Sequence, residues 1–470
     1  MSGKISQLLN FREGEFPLAA LSAVFMFCVL CGYFFLRPVR EAMGVSRGMD
    51  DLRWLFVGTS LASLVLVLLF GGVVSRFDRR RFIPVGYLFV IICLMGFSAL
   101  LIIDAGAGGG LIGTDSSTTL ATLVGYSFYI WLSVINLFVN ALFWAFMVDI
   151  FNVDQGKRMF AFIGIGGTLG ALAGGSATNI ISSLTESVYL PPALMLIGAS
   201  FFGVAILVML RLDRLALSSE HSQLTLSSSG PAKSHSSQKP GLIGGTYWDG
   251  ITAIVRSPYL LGIATYIVLM AIANTFVYFT QASIILENTD TFSQRVGSFA
   301  FFDMLTQFVT LLTQIFITTR IIKRLGIGLT LTIMPLITLA GFAILAIWPL
   351  YGIMAIFAAL HRAARYAISR PARETLFSVV PPAEKYKAKP LIDVFLYRGG
   401  DVAGASIEGA LRAAGMGISG VAGAVVPLAA IWAVLCIALG RAQNQRDPVI
   451  PVAETAETEP RSTIRQNTGD

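Results

Sequence analysis

Two arginines end the first apolar run of this sequence. Residues 32–44 read GYFFLRPVREAMG and close an otherwise uncharged run over residues 16–36. Arg37, Arg40 and Glu41 therefore lie within five residues of one another, at the end of an apolar segment. A guanidinium keeps its charge when buried and offers a planar fork of donors that suits a carboxylate or a phosphate. These residue types predict the recognition of an anion.

Further arginines lie within two later apolar segments. Arg362 and Arg365 fall in the first of these segments, and Arg398 falls in the next with Asp401. A charge in hydrocarbon is costly, so charged residues in such segments normally face a cavity or a partner. We therefore predict a small, anionic substrate. The charged residues predicted to bind it are Arg37, Arg40, Arg362, Arg365, Arg398 and Asp401.

Amide and hydroxyl side chains repeat at helical spacing in two other apolar segments. Asn136 and Asn140 are four residues apart, as are Asn274 and Tyr278, so each pair shares one helix face. We add these four residues to the substrate-binding candidates. Polar residues of this kind also hydrogen-bond between neighbouring membrane helices, and the sequence leaves that alternative open.

Three acids within apolar segments are candidates for coupling or gating. They are Glu41, Asp303 and Glu408. Ion pairing within one helix is the alternative, because Arg37 precedes Glu41, and Arg412 follows Glu408, by four residues. Both roles stay open at the level of the sequence.

The composition indicates the medium in which these residues lie. Of the 470 residues, 55% are hydrophobic and only 13% are charged, and the mean hydropathy is +0.73. A soluble domain carries about 25% charged residues, so most of this chain is expected to lie in a lipid bilayer. The net charge of +7 is spread between apolar runs and forms no single basic patch, which argues against nucleic-acid binding.

Apolar runs long enough to cross roughly 30 Å of hydrocarbon recur along the chain. We predict an all-α polytopic membrane protein with twelve transmembrane helices. The predicted spans are residues 16–37, 54–75, 82–103, 121–149, 159–183, 188–210, 258–286, 296–319, 326–348, 350–369, 390–412 and 416–440.

A polar, Ser-rich segment divides the twelve spans into two sets of six. Its low apolar content predicts a linker without a packed core. Two six-helix pseudo-repeats around a central binding cavity form the major-facilitator arrangement. The predicted divisions are a cytoplasmic N-terminus (1–15), two six-helix bundles (16–210 and 258–440), a cytoplasmic linker (211–257) and a disordered cytoplasmic tail (441–470).

Glycines repeat every four residues in the fifth predicted span. Gly166, Gly170 and Gly174 all lie inside an apolar run. A nucleotide-binding glycine loop follows a strand and opens a helix in water, and this context does not fit that pattern. We predict close helix packing at this stripe, and no cofactor, metal site or catalytic motif of an enzyme.

Three segments of the chain, taken together, carry a family resemblance. They read RPVREAMG, VDQGKRMFAFIGIGG and EKYKAKPLIDVFLYRGGDVAG, in this order. Over residues 16–440 the chain resembles the bacterial and plastid-type ATP:ADP antiporter family, which is related to the major facilitators. The resemblance implies a twelve-span exchanger of adenine nucleotides. Asp154, Lys157 and Arg158 match a motif of that family, and we add them to the coupling or gating candidates.

One position departs from the family pattern. Asp401 stands where a motif of the family has a lysine, so an acid replaces a cation. The substrate is therefore expected to be an anion that need not be a nucleotide. Two other functions stay open, namely a proton-coupled transporter that uses Asp303, Asp401 or Glu408, and a non-transporting membrane scaffold or sensor.

Basic residues concentrate in one set of predicted loops. SRFDRRR at residues 75–81, Lys157 with Arg158, and TRIIKR at residues 319–324 lie on the same side as the linker and the tail. Cytoplasmic loops carry an excess of Lys and Arg, so both termini are predicted to be cytoplasmic. The resemblance implies the bacterial inner membrane, and the sequence makes no prediction of oligomeric state.

Overall fold

Long helices form nearly all of the described chain. The computed structural model describes residues 15–74, 79–107, 118–151, 153–227, 248–316 and 318–446. Helices are expected because backbone polar groups in hydrocarbon must find their hydrogen bonds within the segment. The α-helices are α1 (Glu15–Val45), α2 (Met49–Val74), α3 (Arg79–Gly106), α4 (Thr119–Ile150), α5 (Val153–Leu184), α6 (Leu190–Ser227), α7 (Trp248–Arg256), α8 (Pro258–Glu287), α9 (Phe292–Phe316), α10 (Thr318–Ile347), α11 (Tyr351–Ala363), α12 (Arg370–Leu376), α13 (Pro382–Pro390), α14 (Tyr397–Ala413) and α15 (Ile418–Asn444).

Nine helices within the described residues are long and apolar enough to cross a membrane. They correspond to nine of the twelve predicted spans, which confirms an all-helical, multi-pass membrane protein. The predicted spans 54–75, 350–369 and 390–412 are not among the nine. In the span 54–75, the side chains from residue 67 onwards lie outside the described residues. The spans 350–369 and 390–412 are each divided among shorter helical segments. The count of twelve stays a prediction.

Two π-helical segments of six residues interrupt the tenth and eleventh predicted spans. The segment π1 (Ala364–Ser369) joins α11 to α12, and π2 (Leu391–Leu396) joins α13 to α14. Arg365 lies inside π1, and Arg398 lies just beyond π2. Short π segments within α-helices occur frequently at functional sites, so these two interruptions mark the region around the predicted arginines.

The helices pack as two sets that meet along one seam. Helices α1 to α6 form the first set, in which α1 packs on α4, α5 and α6. Helices α8 to α15 form the second set, in which α10 packs on α15 and α8 packs on α14. The seam is formed where α9 packs on α1 and α5, and where α2 packs on α14.

The glycine stripe of α5 brings its backbone directly against α1. A Cβ atom added at Gly166, Gly170 or Gly174 would lie only 2.2–2.6 Å from a backbone carbonyl oxygen of α1. Real Cβ atoms do not approach backbone that closely. The predicted close packing at this stripe is confirmed, and it fixes the helix that carries Arg37 and Arg40.

The two ends of the seam differ. We call the end where α1, α5, α8 and α14 finish the Val45 side, and the opposite end the Glu15 side. At the Val45 side, Arg295 Nη1 donates to Ser46 Oγ at 3.2 Å, and Asn179 Nδ2 donates to the Gly297 carbonyl at 3.0 Å. Both hydrogen bonds cross the seam. At the Glu15 side, bonds such as Tyr259 Oη to the Leu376 carbonyl (2.9 Å) join helices of one set.

Replacing Gly170 by alanine tests the packing of α5 on α1. The new methyl group would lie 2.2 Å from the Phe27 carbonyl oxygen, whereas nothing lies within 4 Å of a Cβ at Gly164 on the same helix. Overpacking costs about 1–3 kcal/mol, so we expect Gly170→Ala to lower the thermal unfolding midpoint in detergent by several degrees. The matched control, Gly164→Ala, should not lower it. Equal midpoints for the two variants would contradict the packing.

Candidate functional site

One carboxylate at the centre of the seam joins cations from both helix sets. Arg37 on α1 donates from Nη1 to Oδ1 of Asp303 on α9 at 2.8 Å. Arg362 on α11 donates from Nη1 to the same oxygen at 3.0 Å. Its other terminal nitrogen, Nη2, donates to Oε1 of Gln281 at 2.7 Å. Asp303 is 2% exposed, whereas the side chains of Arg37 and Arg362 are half-buried.

These residues lie at similar depths in the bundle. At 1.5 Å per residue, Arg37 lies roughly 12 Å from the Val45 end of α1. Asp303 and Arg362 lie roughly 16 Å from the starts of α9 and α11, on the same side. The hydrocarbon core is about 30 Å thick, so the three charged groups lie near its middle.

A second group of polar residues adjoins this bridge and also crosses the seam. Arg40 on α1 contacts Glu41, donates to Ser133 Oγ at 3.0 Å and lies over the ring of Tyr129, 5.2 Å from its centroid. Tyr278 on α8 donates to Glu41 Oε2 at 2.7 Å and lies 2.8 Å from the Tyr129 hydroxyl. The second helix set therefore contacts Arg37 through Asp303, and it contacts Glu41, the acid beside Arg40, through Tyr278.

The centre of the seam carries more positive than negative charge. Three guanidinium groups, those of Arg37, Arg40 and Arg362, share two carboxylates, those of Glu41 and Asp303. Arginine stays protonated at any physiological pH, so the excess is a permanent positive charge when the acids are ionised. Such a centre attracts an anion.

Several buried polar atoms near this centre have no hydrogen-bond partner among the described residues. They include Arg40 Nε, Asn274 Nδ2 and the hydroxyls of Thr306 and Thr310. The two threonines follow Asp303 on one face of α9, towards the Glu15 side. Buried polar groups are normally paired, so unpaired ones mark a place for water or a ligand.

Another charged cluster surrounds the two π segments. Arg365 contacts the Tyr397 hydroxyl and lies against the rings of Tyr366 and Tyr397, at 5.3 and 5.6 Å from their centroids. On the helix that follows π2, Arg398 Nη1 lies 3.1 Å from Oδ2 of Asp401, which is buried. The acid that replaces the family lysine is therefore paired with an arginine one turn away.

A third cluster closes the Val45 side of the seam. Glu408 on α14 is fully buried between two guanidinium groups. Arg53 of α2 donates from Nε to Oε2 at 2.6 Å, and Arg412 donates from Nε to Oε1 at 3.1 Å. Arg412 also donates to Ser283 Oγ at 3.2 Å. This acid holds α2 of the first set against α14 of the second.

The structure brings part of the predicted site together. Six predicted residues meet at the centre of the seam: Arg37, Arg40, Glu41, Tyr278, Asp303 and Arg362. The cluster at the π segments holds three more, Arg365, Arg398 and Asp401. The pairs Arg37–Glu41 (3.7 Å) and Arg412–Glu408 (3.1 Å) within one helix do form, and both acids also contact the other helix set.

Other predicted residues bond to each other or have side chains that are not described. Asn140 donates to the side chain and backbone of Asn136, at 2.9 and 2.8 Å, so these two residues bond to each other within α4. The side chains of Asp154, Lys157 and Arg158, at the start of α5, lie outside the described residues.

Several partners of the charged groups were not predicted from the sequence. Tyr129, Ser133, Arg53 and Tyr397 contact residues far away in the chain, and no spacing in the sequence pointed to them. Gln281 did carry a signal, because it lies three residues after Tyr278 on the same helix face.

Solved transporters share this fold. A bacterial homologue of the iron transporter ferroportin in an inward-facing state has a TM-score of 0.60 and 11% identity, over 92% of this chain and 99% of that chain. The peptide transporter POT in complex with sulfate gives 0.58 and 12%, over 90% and 95%. The nucleoside transporter NupG gives 0.57 and 13%, over 93% and 100%. The chain therefore shares the all-helical, multi-pass fold of these transporters.

The chain belongs to the TLC ATP/ADP transporter family, whose model matches residues 115–441. ADP,ATP carrier protein 1 of Chlamydia pneumoniae is 24% identical over an alignment of 339 residues that covers 64% of this chain and 62% of the relative. ADP,ATP carrier protein 1 of Chlamydia trachomatis is 25% identical over 328 residues, 62% and 58%. The match thus spans about three fifths of the length of these relatives. The family is one of carriers and not of enzymes.

Glu408→Gln tests the cluster at the Val45 side. The change removes the buried carboxylate that the half-buried guanidinium groups of Arg53 and Arg412 share, and breaking a buried ion pair costs about 3–5 kcal/mol. We expect a large fall in the thermal unfolding midpoint of the purified protein. Glu374→Gln is the control, because that exposed acid contacts Lys389 at the surface, where a pair contributes about 0–1 kcal/mol. A fall no larger than that of the control would contradict the buried pairing.

Proposed function

We propose that the protein is a secondary transporter that moves an anionic solute across a membrane by alternating access. The observation that carries this proposal is the excess of guanidinium groups at the seam. Arg37 and Arg40 come from the first helix set, and Arg362 comes from the second. An anion bound among them would contact both sets at once, so its binding would bias their relative position.

The residues proposed to act in transport divide into two groups. The substrate-binding group comprises Arg37, Arg40, Arg362, Arg365, Arg398, Asp401, Asn136, Asn140, Asn274 and Tyr278. The coupling or gating group comprises Glu41, Asp303, Glu408, Asp154, Lys157 and Arg158. Contacts at the seam support Arg37, Arg40, Glu41, Tyr278, Asp303 and Arg362 most directly.

An adenine nucleotide is the first candidate for the substrate. The curated relatives from Chlamydia are named as carriers of ADP and ATP, and the family model carries the same description. Asp401 reduces the positive charge around Arg398. Anions of lower charge, such as a nucleoside monophosphate or an organic acid, are therefore the second class to test.

We also propose a membrane topology with twelve spans. The two helix bundles cover residues 16–210 and 258–440, the linker covers residues 211–257 and the tail covers residues 441–470. The basic loops support an arrangement in the bacterial inner membrane with both termini in the cytoplasm and the Val45 side outside. Hydrogen bonds across the seam at the Val45 side then correspond to a conformation closed to the outside.

Uptake into proteoliposomes tests the proposed function. We expect labelled ATP, ADP or AMP, or an organic dianion, to enter, faster when the same anion is inside. Arg362→Gln removes a charged donor worth about 1.5–3 kcal/mol, which corresponds to a tenfold to hundredfold loss of uptake. Arg370→Gln should keep normal uptake, because Arg370 is exposed and lies eight residues, or roughly 12 Å along the helical segment, beyond Arg362. Equal uptake by the two variants would exclude Arg362 from the substrate path.

Asp401→Asn tests whether this acid sets the preferred substrate charge. The change leaves Arg398 without its carboxylate and adds one positive charge to the site. We expect the ratio of ATP uptake to AMP uptake to rise roughly fivefold, because the more highly charged anion gains more from the added charge. An unchanged ratio with unchanged rates would show that Asp401 does not face the substrate.

A further inference from the structure

Asp303 occupies the donors that an anionic substrate needs. Its Oδ1 atom accepts hydrogen bonds from Nη1 of Arg37 at 2.8 Å and from Nη1 of Arg362 at 3.0 Å. A carboxylate or phosphate group on a substrate would use the same forked donors. Full engagement of both arginines by a substrate is therefore incompatible with the bridge that Asp303 makes.

The same bridge lies where the two helix sets are in direct contact. Arg37 belongs to α1 of the first set, and Asp303 belongs to α9 of the second set. Beside Asp303, a Cβ at Gly175 of α5 would lie 3.5 Å from the backbone nitrogen of Met304. The backbones of α5 and α9 are therefore close to each other at the level of Asp303. Because the bridge joins Arg37 of α1 to Asp303 of α9, α9 cannot move away from α1 and α5 while this bridge is intact.

Three other buried acids, Glu41, Glu408 and Asp401, differ from Asp303. Glu41 pairs with Arg37 and Arg40 of its own helix and crosses the seam only through the neutral hydroxyl of Tyr278. Glu408 also bridges the seam, but it is held by Arg53 and by Arg412 of its own helix, and neither belongs to the proposed substrate-binding group. Asp401 shares the substrate-binding group with Arg398, but that pair lies within one helix. Asp303 combines both properties, since it bridges the seam through arginines proposed to bind the substrate.

We propose that Asp303 is a built-in competitor of the anionic substrate, so that the seam opens on the Val45 side only when an anion takes its place. This inference rests on the proposed function of the arginines. In the empty protein, the bridge keeps the Val45 side closed. An anion arriving from the Glu15 side takes the guanidinium donors and releases Asp303. A ligand shifts a conformational equilibrium through such a difference in contacts between the two states.

An exchange requirement follows from this competition. A protein that has released its anion at the Glu15 side re-forms the bridge and stays closed at the Val45 side. It opens there again only after another anion has bound from the Glu15 side. Movement of an anion from the Val45 side to the Glu15 side then needs a preceding movement of another anion in the opposite direction.

Chemical labelling at the Val45 side tests the proposal without knowledge of the substrate. Ser46 is half-buried there and accepts a hydrogen bond across the seam from Arg295. Ser46→Cys is introduced after the four native cysteines are replaced by alanine, and the purified protein in lipid nanodiscs is labelled with a maleimide. We expect Asp303→Asn to raise the labelling rate roughly fivefold, because the closed state loses its bridge.

Two further variants control the labelling. Arg37→Gln removes the arginine of the bridge instead of the acid and leaves Asp303 paired with Arg362. This variant should also raise the labelling rate. It replaces Asp303→Asn in the test if that variant fails to fold. Asp393→Asn removes an acid whose partner, Arg373, lies in the same helix set, so labelling should not change. Unchanged labelling in both Asp303→Asn and Arg37→Gln would overturn the bridge as a closure.

Binding of ADP and of inorganic pyrophosphate tests the competition itself. We expect either anion to speed labelling when Asp303 is present and to have little further effect in Asp303→Asn. Asp303→Asn should also bind the anion more tightly, whereas a purely structural role would weaken binding. Weaker binding, or labelling that neither anion alters, would overturn the competition. If labelling responds as expected but proteoliposomes show no anion flux, the proposed transport function fails while the bridge stands.

Discussion

Buried positive charge at the seam is the constraint on which this structure depends. Guanidinium groups near the middle of a membrane need compensating charge, and breaking a buried pair is strongly destabilising. Here the compensation is shared, because Asp303 of the second helix set accepts from Arg37 of the first, and Tyr278 of the second set donates to Glu41 of the first. The same pairing therefore stabilises the fold and joins the two helix sets that would move in the proposed transport cycle.

The rest of the architecture holds these charges in place. The glycine stripe of α5 brings its backbone against α1 and so fixes the helix that carries Arg37 and Arg40. The segments π1 and π2 interrupt the two most charged helical regions of the second set, where Arg365 meets Tyr397. Regular α-helix maximises backbone hydrogen bonding, so irregular turns at these positions indicate that side-chain placement there takes precedence.

Features that depend on neighbouring residues in the sequence were predictable, whereas contacts between distant helices were not. Hydropathy and helical spacing were sufficient for the all-helical membrane fold and for the candidate arginines and acids, since both depend on neighbours in the sequence. The position of Arg365 and Arg398 in a cluster separate from the central one could not be predicted, because spacing in the sequence does not show which helices pack together. Asn136 and Asn140 show the same limit, since spacing put them on one helix face and the structure shows that they bond to each other.

The central claim is that the arginines of the seam bind an anion. The most direct measurement is the thermal unfolding midpoint of the purified protein with ATP, ADP, inorganic pyrophosphate or uncharged adenosine. A ligand that binds only the folded protein raises the midpoint, by an amount that grows with the logarithm of the ligand concentration once that concentration exceeds Kd. We expect one or more of the anions to raise the midpoint, less so at high salt, and adenosine to leave it unchanged. An equal response to adenosine, or no response to any anion, would contradict the central claim.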